Sequence, residues 1–139
     1  MERIKKILLG IFFVILFLGN VCFSEELTVQ QLTTPRTVAF SECAKSYNMP
    51  VDKLYLLSID SIAANRFEIK ELQSKMGYVL FRAAGREFLA TSAYYGANKS
   101  ILRITPANNN YYFAPGIVLN IFKYIDLNSD AEIKPVQKS

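Results

Sequence analysis

Three runs rich in β-branched and aromatic residues, at 78–82, 86–95 and 100–105, constrain the fold more than any other part of the chain. Gly, Asn or Pro residues bound each run, a pattern typical of consecutive antiparallel strands. Residues 67–71 alternate between apolar and charged and predict a strand before them. Residues 111–113 fit either a further short strand or a packed loop. The pattern therefore predicts a three- to four-stranded antiparallel meander.

Two registers are open for the hairpin at Gly85. In one register Arg82 opposes Glu87 and Phe81 opposes Phe88, whereas a slip of one residue opposes Arg82 to Arg86. We expect the first, because opposite charges and aromatic pairs across strands stabilise by about 0.2–1 kcal/mol each. This register gives an apolar sheet face (Val79, Phe81, Phe88, Ala90) and a mixed face (Tyr78, Leu80, Arg82, Glu87, Leu89, Thr91).

Segments with helical periodicity precede and follow the predicted strands. Residues 34–48 predict a first helix, because Phe40, Cys43, Ala44 and Tyr47 stand at i, i+3, i+4 and i+7. Similar stripes predict a second helix at 51–65 and a third at 117–127. The expected fold is one α+β domain at residues 34–127, with two N-terminal helices, the antiparallel meander and a C-terminal helix. Residues 25–33 predict a flexible leader, and 128–139 a polar tail.

The first 24 residues predict export. Arg3, Lys5 and Lys6 precede an uncharged run at 7–20, and small residues lead to a cleavage position after Ser24. The run is short for a membrane span, which needs about 20 residues. We therefore expect a bacterial protein that is periplasmic or secreted, with no membrane span after cleavage near Ser24. A retained N-terminal anchor and a lipoprotein acylated at Cys22 are the alternatives.

Composition limits the chemistry. The chain has no histidine, and Cys43 is the one cysteine left after cleavage. Zinc sites of the Cys or Cys/His type and an internal disulfide are therefore excluded within one chain, and we predict no cofactor and no metal. Cys43 is expected to be a buried core thiol, because no histidine can activate it. The small net charge of the mature chain argues against nucleic acid as a partner.

Two tyrosine pairs, Tyr94–Tyr95 and Tyr111–Tyr112, are candidates for ligand contact. Neighbouring residues on a strand point to opposite faces, so one ring of each pair should be exposed unless the rings seal the core. We expect the strand at 100–105 to form an open edge with a single charge, Arg103. We therefore predict a binding surface at this edge (Tyr94, Tyr95, Ile101, Arg103, Tyr111, Tyr112), with homodimerisation through the edge as an alternative.

These features favour a non-catalytic module that binds an envelope or secreted protein, a peptide or a glycan. One alternative is a glycan-acting hydrolase that uses Asp60 with Glu68 or Glu71 as a carboxylate pair. The other is a secreted inhibitor, since the order of elements resembles that of cystatin-like inhibitors in topology. The Gln-x-Val-x-Gly hairpin of those inhibitors is absent from the sequence.

Overall fold

An antiparallel five-stranded sheet with helices on one face forms the centre of the protein in a computed structural model that describes residues 28–130. The predicted signal peptide, residues 25–27 of the leader and residues 131–139 of the tail lie outside these described residues. The elements in chain order are α1 (Val29–Thr33), β1 (Arg36–Thr37), a 3₁₀ turn (Phe40–Cys43), β2 (Ala44–Tyr47), α2 (Val51–Ala64), β3 (Glu68–Gln73), β4 (Tyr78–Ala83), β5 (Arg86–Gly96), β6 (Lys99–Pro106), β7 (Tyr112–Phe113) and α3 (Gly116–Asn128).

The strands of the main sheet follow the order β2-β6-β5-β4-β3, and every neighbouring pair is antiparallel. Strands β1 and β7 pair separately as a two-stranded sheet. The predicted α+β class and the antiparallel arrangement are thus confirmed. The hairpin register is also confirmed, since Arg82 opposes Glu87 and Phe81 opposes Phe88. Ala84 and Gly85 both have positive φ, as a two-residue turn between twisted strands requires.

The core lies between the apolar sheet face and the helices. Val79, Phe81, Phe88 and Ala90 are fully buried, as the register predicted. Helix α2 contacts the sheet, and α3 packs on α2, where the hydroxyl of Ser61 donates a hydrogen bond to the carbonyl of Ile121. The apolar stripe of α3 is buried as expected (Ile117, Val118, Ile121, Phe122, Ile125).

A row of four phenylalanine rings crosses this core. Phe67 stacks on Phe81 and Phe81 on Phe88, with centroid distances of 5.8 and 5.6 Å. Phe88 meets Phe113 of β7 edge to face at 5.1 Å. Such pairs stabilise by about 0.5–1.5 kcal/mol beyond the area they bury. The row therefore ties the small sheet to the main one.

The prediction of a helix at 34–48 is wrong. This segment forms β1, the 3₁₀ turn and β2, and β2 pairs with β6 from Ala44 opposite Arg103 to Tyr47 opposite Ser100. Cys43 and Tyr47 are buried, but the Phe40 side chain is 55% exposed. Four spaced apolar residues fit either structure, and β2 is favoured because it supplies partners for the backbone groups along β6.

The chain departs from the expected pattern at three smaller places. Val29–Thr33, part of the expected flexible leader, form α1, which begins with a capping box between Thr28 and Gln31. The connection between the runs predicted at 86–95 and 100–105 is short, because β5 continues to Gly96 and β6 begins at Lys99, with Asn98 at positive φ. Residues 112–113 form a strand, but it pairs with β1 and not with the main sheet.

Gly77→Ala is expected to destabilise the fold more than Gly85→Ala. Both glycines have φ near +70°, a conformation that costs other residues about 1–2 kcal/mol. At Gly77 a Cβ would also lie 2.6 Å from the Ser92 carbonyl oxygen, whereas at Gly85 no atom of residues 28–130 lies within 4 Å. Urea unfolding should show an additional loss of roughly 1 kcal/mol or more for Gly77→Ala. Equal losses of stability in the two variants would mean that the chain at position 77 can move away from the Ser92 carbonyl at little cost.

Candidate binding surface

The second face of the main sheet is the broadest candidate surface. The register places alternate residues of β4, β5 and β6 on this face, which we call the open face. None of its residues is fully buried, in contrast to the helix-covered face. The residues of the open face in these three strands are Tyr78, Leu80, Arg82, Glu87, Leu89, Thr91, Ala93, Lys99, Ile101, Arg103 and Thr105.

Charges are distributed unevenly across the open face. Next to the β4–β5 turn, Arg82 and Glu87 form an exposed ion pair, with 3.7 Å between Nη2 and Oε1. On β3, Glu71 accepts hydrogen bonds from the Gln73 amide at 2.9 Å and the Tyr78 hydroxyl at 3.5 Å. Burial and the nearby Glu71 carboxylate raise the pKa of Tyr78, so its phenol remains a neutral donor at physiological pH. Glu68 is paired with Lys70, so the β3 side carries one net negative charge from Glu68, Lys70 and Glu71, whereas Lys99 and Arg103 make the β6 side basic.

Arg103 belongs to a small aromatic cluster at the margin of the open face. Its guanidinium lies 5.4 Å from the ring centre of Phe40, and Phe40 meets Tyr111 edge to face at 6.1 Å. The contact is a cation–π interaction, the kind that exposed Arg side chains commonly make. Three predicted site residues, Ile101, Arg103 and Tyr111, thus lie on one side of the molecule. Phe40 was missed, because the helical stripe assigned it to the core.

The other predicted tyrosines, Tyr94, Tyr95 and Tyr112, do not belong to this aromatic cluster. Tyr94 and Tyr95 are 72% and 64% exposed at the turn end of β5, where the register shifts between Tyr94 and Gly96. Tyr94 opposes Ser100, three residues along β6 from Arg103, which is roughly 10 Å. Tyr112 is 57% exposed on β7, and its carbonyl accepts a hydrogen bond from Arg86. The six predicted residues therefore do not form one contiguous surface.

The prediction that β6 forms an open edge is wrong. β6 pairs with β2 on one side and β5 on the other, so neither a partner strand nor a second copy can add to it. The sheet edges are β2, which has four residues and carries Lys45 in an ion pair with Asp126, and β3. β3 carries Glu68, Lys70 and Glu71 and has a register shift. Short, charged and irregular edges resist strand addition.

The carboxylates considered for hydrolysis are not brought into one cleft. Asp60 lies on α2, which packs on the apolar face of the sheet. Glu68 opposes Arg82 and Glu71 opposes Leu80, so both belong to the open face. In the part of the chain that the structure describes, no cluster of three His, Cys, Asp or Glu side chains could hold a metal ion.

Cys43 is fully buried, and its Sγ lies 3.7 Å from the Ala39 carbonyl oxygen. Burial, with a smaller effect of the Glu42 carboxylate, raises the pKa of the thiol to about 11. The protonated thiol is a poor nucleophile, so the site favours a structural role for this cysteine.

Replacement of Cys43 should make the free energy of unfolding depend less on pH in the alkaline range. The thiol titrates near 8.5 when unfolded and near 11 when folded. Its contribution is therefore complete below pH 8.5 and is lost as the pH rises towards 11. Between pH 7 and pH 10, the free energy of unfolding should fall by about 1–2 kcal/mol more in the parent protein than in Cys43→Ala. Parallel urea-unfolding curves for the two proteins would contradict the burial of the thiol.

The open face remains as a broad surface with apolar, aromatic and charged side chains. No protein-family model, no curated protein and no solved structure matches the chain.

Proposed function

We propose that this chain is an exported, non-catalytic module that binds an envelope or secreted protein through the open face. The observation that carries the proposal is the composition of this face. Leu80 and Leu89 are paired and half-buried on β4 and β5, and the half-buried Ile101 lies on β6, four residues from the position opposite Leu89. Polar and charged side chains lie between and around these apolar groups, and a mixture of apolar and polar side chains is usual in protein–protein interfaces.

The dimensions of the open face favour a protein over a small ligand. Five strands at ~4.8 Å spacing give a width of roughly 24 Å, and five or six residues along a strand give roughly 17–20 Å. The projected area is therefore roughly 400–480 Å², about half of the ~800 Å² that each partner contributes to a standard interface, and the relief of the side chains and the margins of the sheet supply the remainder.

The charges define the chemistry of the partner. Arg103 and Lys99 on one side require carboxylates opposite β6, whereas Glu71 requires a basic group opposite β3, because Glu68 is already paired with Lys70. Because both signs are present, a uniformly charged polymer such as nucleic acid is a poor match. A folded protein with an apolar patch between an acidic and a basic group fits the face.

A photo-crosslinking amino acid at Leu89 or Ile101 should capture one defined protein in the native envelope. The same crosslinker at Asp60, exposed on α2, is the control and should not capture it. Arg103→Glu should abolish capture because it reverses the charge of the basic side, whereas Lys123→Glu on α3 should not. Both charge changes should alter the free energy of unfolding by less than about 1 kcal/mol, since the side chains are exposed.

The captured protein provides a stricter test. Replacing its contacting carboxylate by Lys should restore the capture that Arg103→Glu removes. Capture that is unaffected by Arg103→Glu, or equal from Asp60, would place the interface elsewhere. A product of twice the chain's mass would identify a second copy as the occupant. Saturable binding of envelope glycan fragments without protein capture would favour a glycan. A second copy or a glycan as the occupant would contradict the proposed partner.

Export is the second part of the proposal. The basic start and uncharged run of the first 24 residues support it. Within residues 28–130, no helix has the length and apolar character needed to cross a membrane.

The intact mass of the protein from its native host should correspond to a chain that begins at Glu25. Removal of residues 1–24 is expected because small residues, Cys22 and Ser24, stand three and one positions before the cut, as a signal peptidase requires. A mass that includes these residues would indicate a retained anchor. A lipid adduct on Cys22 would indicate a lipoprotein.

A further inference from the structure

The turn between β5 and β6 projects from one end of the main sheet. β4 begins opposite Thr91 and β2 ends opposite Ser100, so residues 95–99 extend past both neighbouring strands. Tyr94 and Tyr95, at the base of this turn, are 72% and 64% exposed. Most of the surface of both phenol rings is therefore free of contacts with the fold.

The turn between β3 and β4 lies at the same end of the sheet. The Ser92 amide donates a hydrogen bond of 2.8 Å to the Gly77 carbonyl in this turn. Ser92 precedes the first of the two tyrosines by two residues, roughly 7 Å along the strand. Met76 in the β3–β4 turn is 71% exposed. We call the two turns together, residues 74–77 and 94–99, the turn end.

Exposed apolar side chains of the two longer helices lie at the turn end as well. Leu56 of α2 lines one pocket together with Met76, and Leu127 in the last turn of α3 is 75% exposed. The Lys53 ammonium, from the first turn of α2, donates a hydrogen bond to the Ser129 carbonyl, which places the end of α3 beside the start of α2. Exposed apolar surface is therefore concentrated at this end of the molecule.

The charges of the two turns have one sign. Lys75 and Lys99 are exposed, and residues 74–77 and 94–99 contain no Asp or Glu. Neither lysine forms an ion pair with another of residues 28–130. Asp52 of α2 borders the β3–β4 turn and offsets one of the two positive charges. The turn end thus offers positive charge to an anionic partner.

The shape of the turn end indicates the kind of partner. Small-ligand sites are concave and standard protein interfaces are broad, whereas the turn end consists of two narrow projections. Tyrosine is enriched in the headgroup layer of bilayers, and lysine near an anionic membrane is attracted to it. We propose that the turn end docks this protein on an anionic lipid bilayer. Tyr94, Tyr95 and Met76 enter the headgroup layer, and Lys75 and Lys99 contact lipid phosphates.

Binding of residues 25–139 to lipid vesicles tests this proposal, since this chain omits the apolar run at 7–20 that would itself enter a bilayer. Phosphatidylcholine vesicles with about one-third phosphatidylglycerol should bind the protein in a flotation assay. Vesicles of phosphatidylcholine alone should bind it about tenfold more weakly, because they lack the negative surface charge. Salt at about 500 mM should reduce this difference, because it screens the lysines.

The exposed tyrosines provide the first pair of variants. Tyr94→Ser combined with Tyr95→Ser should bind anionic vesicles about tenfold more weakly, because two interfacial rings are lost. Its melting temperature should not change, since exposed side chains contribute little to stability. Tyr112→Ser removes an exposed ring near Arg86, at the opposite end of the sheet, and should bind like the parent protein.

The lysines provide the second pair. Lys75→Gln combined with Lys99→Gln should weaken binding to anionic vesicles about tenfold and leave binding to phosphatidylcholine unchanged. Arg66→Gln combined with Arg82→Gln removes the same charge from the opposite end of the sheet, and it should weaken binding less than about threefold.

A fluorophore locates the contact. The chain contains no tryptophan, so Tyr95→Trp introduces a single one at the turn end. Its emission should move to shorter wavelength on anionic vesicles, because the indole ring leaves water for the headgroup layer. The emission of Tyr112→Trp should not move.

Four outcomes would overturn the proposal. The first is the absence of binding to anionic vesicles up to about 5 mM lipid, the range of very weak association. The second is equal binding of the parent protein and the double tyrosine variant. The third is unchanged emission of Tyr95→Trp while the protein is bound to vesicles. The fourth is a dimer in lipid-free sedimentation that the double tyrosine variant dissociates, which would identify a second copy as the occupant.

The lipid contact is independent of protein capture by the open face. Crosslinking from Leu89 should persist in the double tyrosine variant, whereas its binding to vesicles should fall. Failure of one proposal is therefore distinguishable from failure of the other.

Discussion

The row of phenylalanine rings from Phe67 to Phe113 is the contact on which the rest of the structure depends. It requires Phe81 and Phe88 to share one sheet face, which places Leu80 and Leu89 on the other. A slip of one residue would place Phe81 and Phe88 on opposite faces and expose one of the two rings to water, so the hydrophobic effect fixes the register. The helices then cover the aromatic face, and the opposite face is left accessible to a partner.

Arg86 links the row of phenylalanine rings to the loop after β6. Its guanidinium lies 5.9 Å from the ring centres of both Phe88 and Phe113. It also donates hydrogen bonds to the Asn108 side chain and to the Asn110 and Tyr112 carbonyls. One side chain thus stacks on the core and satisfies the backbone of the turn, which positions β7 against β1. The planar, multidentate guanidinium suits both tasks, whereas a lysine could not make the same set of bonds.

The edges of the sheet determine where ligands can approach. β2 covers β6, and the charges and bulge of β3 discourage a further strand. Binding through backbone pairing is therefore disfavoured, and side-chain surfaces remain. The open face is the broadest of these surfaces.

The sequence by itself determined the parts of the fold that depend on near neighbours. The Arg82–Glu87 and Phe81–Phe88 pairs selected the hairpin register, and the apolar stripe of residues 117–125 defined the last helix. Only the tertiary structure decided that residues 44–47 form a strand, because their partners lie more than 50 positions away in β6. It also decided which serine lacks a partner, since Ser92 and Ser100 differ in their distant contacts and not in their local sequence pattern. Long-range pairing and burial are properties of the folded chain, and local periodicity carries no information about them.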